Sequence, residues 1–181
     1  MDSITQAALG GALGGAVLGR RFGRGAVIAG ALLGTLPDMD VLIDYGDAVA
    51  NFSQHRGFSH SLLVLAPLAV VLAALLSRWQ RGVSFRRWLT FTGAILITHP
   101  LLDAFTTYGT QLLWPLGPPV AWHSIFIIDP LYTLPLLLAV IIALVRPPAV
   151  RALSAGLVLS SLYLAWIRTR FEKSAKRYRS L

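Results

Sequence analysis

The chain has 181 residues, of which 55% are hydrophobic and 13% charged, and its mean hydropathy of +0.65 is too high for an ordinary soluble domain. It contains no cysteine, which excludes a disulfide scaffold, a thiolate metal site and a cysteine nucleophile. The net charge of +8 would suit nucleic acid, but the sequence lacks the signatures of nucleic-acid-binding domains. We therefore expect a membrane protein that binds no nucleic acid.

Six apolar runs predict an all-α fold. A lipid-facing helix needs about 20 apolar residues, so the last four runs are comfortable spans, whereas the first two are short and rich in glycine. The sequence predicts a polytopic transmembrane helical bundle of about four to six membrane segments, with a membrane domain over 1–167 and a basic C-terminal tail over 168–181. The runs cover about residues 7–19, 25–36, 61–77, 88–106, 131–145 and 152–167.

Glycines in the first run recur at a spacing of four. The pairs are Gly10 with Gly14, Gly11 with Gly15, and Gly15 with Gly19, which places a small face on one side of a helix and lets another helix approach closely. A nucleotide-binding loop is disfavoured, because no strand pattern precedes these glycines and no P-loop lysine follows them. The glycines therefore indicate helix packing.

The arginines between the runs predict the topology. They cluster around residues 20–24, 78–87 and 146–151, which would share the cytoplasmic face if every run crosses once. The segments 37–60 and 103–129 then share the extracytoplasmic face. The basic tail fits this scheme only if one run is re-entrant or if the tail is an amphipathic helix on the outer surface.

Acidic residues and histidines concentrate in three polar segments. Ten of the twelve Asp, Glu and His residues lie within residues 37–60, 98–103 and 123–129. Carboxylate and imidazole are ligands for divalent metals, and ionisable groups at membrane depth indicate function. The distribution predicts a polar metal site at one membrane face.

Two short spacings support this prediction. His99 and Asp103 are four residues apart, so on a helix they lie on one face, although a hydrogen-bonded pair that serves only packing is the alternative. Asp38 and Asp40 follow Pro37 and could bind one cation or two, but turn and cap chemistry would also explain them.

The segment from residue 55 to residue 61 is the richest in functional side chains. His55 and His60 flank Arg56, and Ser59 or Ser61 can cap the long helix that follows. A helix N-terminus and an arginine together favour a phosphate or carboxylate. The segment thus predicts an anion site suited to phosphoester cleavage, and the alternative is an interfacial loop in which the arginine only sets topology.

The remaining acids and the fourth histidine carry weaker signals. Asp129 precedes Pro130 and is best interpreted as the N-cap of a helix. Asp44 and Asp47 are interpreted as solvated loop acids. His123 lies between interfacial aromatic residues and carries no motif.

Five stretches of the chain match the motifs of one known family. They are MDSITQ at 1–6, GTLPDMD at 34–40, HRGFSHS at 55–61, THPLLDAFTTYGTQ at 98–111 and IFIIDPLY at 125–132. These motifs are similar to those of the YdjM family of inner-membrane-associated, metal-dependent hydrolases, which is related to the zinc-dependent phospholipase C group. The resemblance covers residues 1 to about 167, and analogy of this kind licenses a hypothesis about chemistry.

Carried over position by position, the resemblance implies a metal centre. The implied cofactor is a divalent metal ion, Zn2+, in one to three copies. A glutamine at position 6 stands where many relatives have histidine, and its amide oxygen is a poorer ligand. The implied ligands are Asp38, Asp40, His55, His60, His99 and Asp103, with Asp2, Gln6 and Asp129 as secondary candidates.

The resulting hypothesis is a membrane-embedded, metal-dependent hydrolase of the bacterial inner membrane. It would be a phosphoesterase that attacks a membrane lipid or lipid-linked substrate with metal-activated water. Asp38 or Asp103 would orient or deprotonate that water. Arg56, with Ser59 and Ser61, would hold the phosphate oxygens.

Two interpretations from other classes stay open. The same His and Asp residues could form the pathway of a divalent-cation or proton transporter, although they cluster near one face and no inverted repeat is evident. The glycine faces would also suit a structural partner protein. A zincin-type protease is excluded, because the chain has no His-Glu-x-x-His motif and its single glutamate, Glu172, lies in the tail.

Overall fold

The computed structural model describes residues 1–44, 46–47 and 56–179, with side chains described as far as residue 174. The regular elements among the described residues are all helices, with two isolated bridges and no β-strand, so the all-α prediction is confirmed. Two 3-10 helices, Pro37–Leu42 and Phe58–His60, precede the third α-helix. The α-helices are α1 (Ser3–Phe22), α2 (Arg24–Thr35), α3 (Leu62–Trp79), α4 (Phe85–Ala104), α5 (Pro130–Val145) and α6 (Val150–Arg179).

Two of the described helices are long and apolar enough to cross a membrane. They are α3 and the part of α6 from Val150 to Ser174, and in each only 17% of the apolar window is buried inside the bundle. Helices α2 and α5 are apolar but shorter. The structure therefore supports two of the predicted membrane segments by length and composition.

Helices α1 and α2 form a tight hairpin that turns at Gly23, whose φ of 54° lies in the left-handed region. The glycine face of α1 packs on α2, as predicted. A Cβ on Gly10 would stand 2.3 Å from the carbonyl oxygen of Gly30, and one on Gly14 would stand 2.9 Å from the Cα of Gly30. Only glycine allows this approach of the two backbones.

The other helices surround this hairpin. Helix α1 contacts α4, α5 and α6, while α3 packs on α4 and α5 packs on α6. The main apolar core lies between α1, α5 and α6 and includes Leu9, Leu136 and Leu153. A second apolar cluster, which includes Leu18 and Phe91, lies between α1 and α4.

The three basic loops meet at one end of the bundle. The Nη2 atom of Arg24 donates to the carbonyl of Val145 at 3.2 Å, and the guanidinium of Arg21 lies over Gly82. These contacts join the loop after α1 to those after α3 and α5, which agrees with the predicted grouping. The membrane face on which that end lies stays a prediction.

Candidate metal centre

Three polar elements meet at the opposite end of the bundle. The first 3-10 helix brings Asp38, the second brings His60, and the last turns of α4 bring His99 and Asp103. One ligand atom from each of these four side chains lies within 4.8 Å of the others. The side chains of His60, His99 and Asp103 are buried, and that of Asp38 is 12% exposed. We call these four residues the His/Asp cluster.

Local sequence explains how two elements deliver these side chains. Pro37 opens the first 3-10 helix directly after α2, in a position where its missing N–H costs nothing. Helix α4 continues through Pro100, so His99 and Asp103 keep their helical spacing, with Nε2 and Oδ2 at 3.8 Å. The predicted common face of these two residues is confirmed.

Hydrogen bonds fix the tautomer of both imidazoles. The Nδ1 atom of His99 lies 2.7 Å from the carbonyl oxygen of Gly34, which can only accept, so Nδ1 carries the proton. The hydroxyl of Ser59 donates to Oδ2 of Asp40 at 2.6 Å, and therefore accepts from Nδ1 of His60 at 2.9 Å. Both Nε2 atoms are then unprotonated in the neutral rings, and they face each other at 3.0 Å.

The distances within the His/Asp cluster fit one four-coordinate ion. Ligands of a tetrahedral zinc ion lie about 3.3 Å apart for metal–ligand bonds of about 2.0 to 2.1 Å. Here the Nε2 atoms are 3.0 Å apart, Nε2 of His60 lies 3.2 Å from Oδ2 of Asp103, and Oδ1 of Asp38 lies 3.4 Å from each Nε2. These four distances lie near the tetrahedral edge, and Nε2 of His99 lies somewhat farther from Oδ2 of Asp103, at 3.8 Å. The four side chains could therefore hold a metal ion.

The charge state of the cluster also favours a cation. Burial lowers the pKa of His60 to about 4, so its imidazole is neutral at neutral pH, which is the form that binds metals. Among the described residues, Oδ2 of Asp103 is buried and accepts no hydrogen bond.

Asp103 is positioned by groups from other parts of the chain. Its Oδ1 accepts from Nε2 of Gln6 at 3.2 Å and from the amino group of Met1. The same Gln6 nitrogen donates to the carbonyl of His99 at 3.2 Å. Gln6 is therefore placed to orient Asp103 and lies outside the cluster itself.

Arg56 lies beside the cluster and is 6% exposed. Its backbone has a φ of 63°, which a non-glycine residue keeps only where the surroundings hold it. Its N–H donates to Oδ2 of Asp40 at 3.0 Å, and its terminal nitrogens donate to the carbonyls of Gly109 and Met1. Nε lies 3.6 Å from Oδ2 of Asp103 and has no hydrogen-bond partner in the described part of the chain.

Asp40 and Asp2, two of the other implied ligands, have partners of their own. Asp40 faces the Nδ1 side of His60, with Oδ2 at 3.9 Å, and bonds to Ser59 and the Arg56 backbone rather than joining the four. Asp2 is the N-cap of α1. His55 lies outside the described residues, so its predicted role as a ligand stays a prediction.

Two predicted helix caps are confirmed. The Asp129 carboxylate caps α5 by accepting from the N–H groups of Leu131 and Tyr132. Ser61 is the N-cap of α3, and its hydroxyl also donates to the carbonyl of Trp114 at 2.9 Å. Asp44 and Asp47 are exposed, as solvated loop acids should be.

The structure adds one functional group that the sequence analysis did not single out, the carbonyl of Gly34. A Cβ at Gly34 would stand 2.7 Å from the carbonyl oxygen of Gln6, so the glycine also lets α2 approach α1. The sequence signal that could have indicated this role is the spacing of Gly34, which lies four residues after Gly30 and four before Asp38.

Replacing Ser59 by alanine is expected to weaken metal binding by about 10- to 100-fold, because the partner that orients His60 is lost. Ser61→Ala is the matched control: it removes a helix cap at a cost of about 1 kcal/mol in stability and leaves metal affinity nearly unchanged. Competition with a chromophoric zinc chelator measures the affinities. Equal affinity in the two variants would contradict the role given to Ser59.

Asp129→Ala is expected to destabilise the protein by about 1 kcal/mol through the lost cap, with a further loss because the Tyr163 hydroxyl also donates to Asp129 at 3.0 Å. Asp129→Asn keeps a capping oxygen and should cost less. Both variants should retain the metal content of the unmodified protein. Thermal unfolding and elemental analysis measure the two effects, and metal loss in Asp129→Asn would instead make this residue a ligand.

Fold and site together define a helical membrane protein with a buried His/Asp cluster that could hold a metal ion. The chain belongs to the YdjM inner membrane protein family, whose model matches residues 1–174. This confirms the family resemblance and indicates membrane association.

Two curated proteins illustrate the relationship. The inner membrane protein YbcI of Escherichia coli (strain K12) is 40% identical over 92 residues, which cover 49% of this chain and 53% of YbcI. The uncharacterized protein YfhP of Bacillus subtilis (strain 168) is 30% identical over 173 residues, which cover 91% of this chain and 53% of YfhP. The chain thus spans about half the length of each relative. No solved structure matches it.

Proposed function

We propose that this protein is a membrane-embedded, metal-dependent hydrolase, a phosphoesterase that acts on a lipid or lipid-linked substrate at the extracytoplasmic face of the inner membrane. The observation that carries the proposal is the pair of Nε2 atoms, 3.0 Å apart and flanked by two carboxylates at 3.2 to 3.4 Å. Without a cation, the lone pairs and negative charges of this cluster would repel one another.

The donor set favours zinc, because two imidazoles and two carboxylate oxygens at tetrahedral spacing suit that ion. When bound, zinc lowers the pKa of a bound water to about 7 and polarises a phosphoryl oxygen. His60, His99 and Asp103 would hold it, and Asp38 would stand at the open fourth position, beside the bound water. These four side chains suffice for one ion, and a second would require the predicted His55 or Asp40.

Two further residues would act on the substrate. Asp38 is the most exposed member of the cluster, and its Oδ2 lies on the exposed side, 3.5 Å from the Ser3 hydroxyl. We assign Oδ2 as the atom that accepts the proton of the attacking water. Arg56, whose Nε lies beside the cluster and has no hydrogen-bond partner among the described residues, would offset the charge of the phosphate. The hydroxyls of Ser59 and Ser61 already bond to protein groups.

The proposal is tested by zinc-dependent release of phosphate or headgroup from a panel of lipids, with the purified full chain in detergent. We expect turnover that chelation abolishes, and Asp38→Asn should lower it by about 100-fold or more, as removal of a general base does. If the purified protein shows no turnover but carries zinc across vesicle membranes, it is the transporter instead.

A further inference from the structure

A cavity of about 340 Å³ lies between the two 3-10 helices and the first turns of α3. Its volume falls in the range of small-molecule sites. We call it the chain cavity. Its apolar lining includes Leu36, Met39, Ile43, Phe58, Val64 and Leu68.

The chain cavity shares a wall with the His/Asp cluster. Asp40 and Ser59 line the cavity, and they are also the residues that hold His60, through the 2.6 Å bond between them and the 2.9 Å bond from Ser59 to the imidazole. In the first 3-10 helix, Asp38 points to the cluster and the next residue, Met39, lines the cavity. The cavity therefore begins one side chain away from the candidate ligands.

The opposite side of the chain cavity continues into an apolar surface. Met39 is 54% exposed, and Val41 and Leu42 beside it are more exposed still. The lining residues of α3 belong to a helix whose apolar window is 17% buried and which is long enough to span a membrane. Apolar surface of this extent marks a ligand or membrane contact, and a sugar or charged headgroup would lose its hydration there without compensation.

We propose that the chain cavity binds the hydrocarbon chain of the substrate, with the phosphate at the His/Asp cluster and the chain running along α3 toward the lipid. The substrate would then be an amphiphile. Its phosphoester and its hydrocarbon would be separated by about the width of one protein side chain. Only the position of the phosphate at the His/Asp cluster rests on the proposed function. The apolar cavity lined by Trp88 and Phe91 lies at the basic end of the bundle, too far away to serve the same molecule.

The test uses photolabelling with a dodecyl phosphate that carries a diazirine in its chain, on the zinc-loaded full chain in detergent. We expect labelled peptides to come from residues 36–43 and 58–68, with competition by dodecyl phosphate and none by butyl phosphate. Filling the cavity with Val64→Trp should reduce the labelling by about tenfold, because several methylenes lose their apolar contact. The matched control is Val71→Trp, on the same helix, exposed by 53% and outside the lining.

Labelling spread evenly over the outer faces of α3 and α6, or an equal effect of the two tryptophan substitutions, would overturn the inference and indicate bilayer contact only. Turnover distinguishes this failure from failure of the proposed function. If zinc-dependent hydrolysis of dodecyl phosphate occurs but responds equally to both substitutions, the proposed hydrolase function is supported and binding of the hydrocarbon in the chain cavity is refuted. If labelling is confined to residues 36–43 and 58–68 but no hydrolysis occurs, binding of the hydrocarbon in the chain cavity is supported and the phosphoesterase function is refuted.

Discussion

Replacing His60 or His99 with asparagine is expected to remove the bound metal ion and, with it, all zinc-dependent activity. Each imidazole supplies an Nε2 atom that faces the other at 3.0 Å, and its tautomer is already held by Ser59 or Gly34. An amide is shorter and cannot reach the same point with an equally basic nitrogen. Bound zinc should fall from about one ion per chain to less than about a tenth.

The fourth histidine provides a matched control. His123 has a φ of 49°, a conformation that asparagine tolerates well, and it lies outside the His/Asp cluster. His123→Asn should therefore keep its zinc. Elemental analysis after gel filtration gives the stoichiometry, and equal zinc in all three variants would refute the assignment of the site.

The thermal stability of the protein should also report zinc binding. A ligand present at about 100 times its Kd stabilises the folded state by about 2.7 kcal/mol, so zinc should raise the thermal unfolding temperature of the unmodified protein. The shift should vanish in His60→Asn and His99→Asn and persist in His123→Asn. A shift of the same size in all of them would mean that zinc binds somewhere else.

Gly10→Ala is expected to produce one of the two largest losses of stability among single methyl additions, the other being Gly30→Ala. The new Cβ would stand 2.3 Å from the carbonyl oxygen of Gly30 and 2.9 Å from the Cα of Gly34. Both are backbone atoms, so no side-chain rotation relieves the clash and α1 must move away from α2. Overpacking of this kind costs about 1 to 3 kcal/mol, and metal affinity should fall as well, because Gly34 carries the carbonyl that orients His99.

The control is Gly93→Ala, also within a helix, where a Cβ would meet nothing within 4 Å. It should leave metal affinity unchanged and stabilise the protein by up to about 1 kcal/mol, because alanine favours helix over glycine. Thermal unfolding in detergent, with and without zinc, measures both variants. Equal stability of Gly10→Ala and Gly93→Ala would contradict the close-packed hairpin.

Short-range spacing predicted part of the candidate site well. His99 and Asp103 share a helix face because they are four residues apart, and Asp129 and Ser61 were predicted as helix caps from their position before a helix. These inferences need only the local chain, and α-helical geometry fixes the outcome.

Long-range contacts could not be predicted in the same way. The sequence pattern marked the glycine face of α1 but not its partner, so it did not show that the carbonyl of Gly34 would meet His99. The resemblance implied that Asp40 is a ligand, which stays a prediction, but it did not indicate that Oδ2 of Asp40 would accept from Ser59 and from the backbone N–H of Arg56. Which side of an imidazole a carboxylate approaches depends on how three elements pack, and sequence spacing carries no information about that.

The membrane prediction was limited by composition inside the runs. The fourth run lies in α4, a helix of 20 residues that includes Arg86 and Arg87 before the run and His99 and Asp103 within it, so α4 is less apolar than α3 and α6. The fifth run became α5, with only 16 residues. Membrane segments beyond α3 and α6 therefore stay a prediction.

The wide separation of the cluster residues along the chain has a consequence for the order of assembly. Bringing residues 38, 60, 99 and 103 together closes long loops. Helix packing offsets the entropic cost of that loop closure. A nascent chain that ends at α3 has Asp38 and His60 but neither side chain from α4, so it would retain zinc weakly. In the proposed site, zinc loading would therefore follow the packing of α4 on α1 and α3.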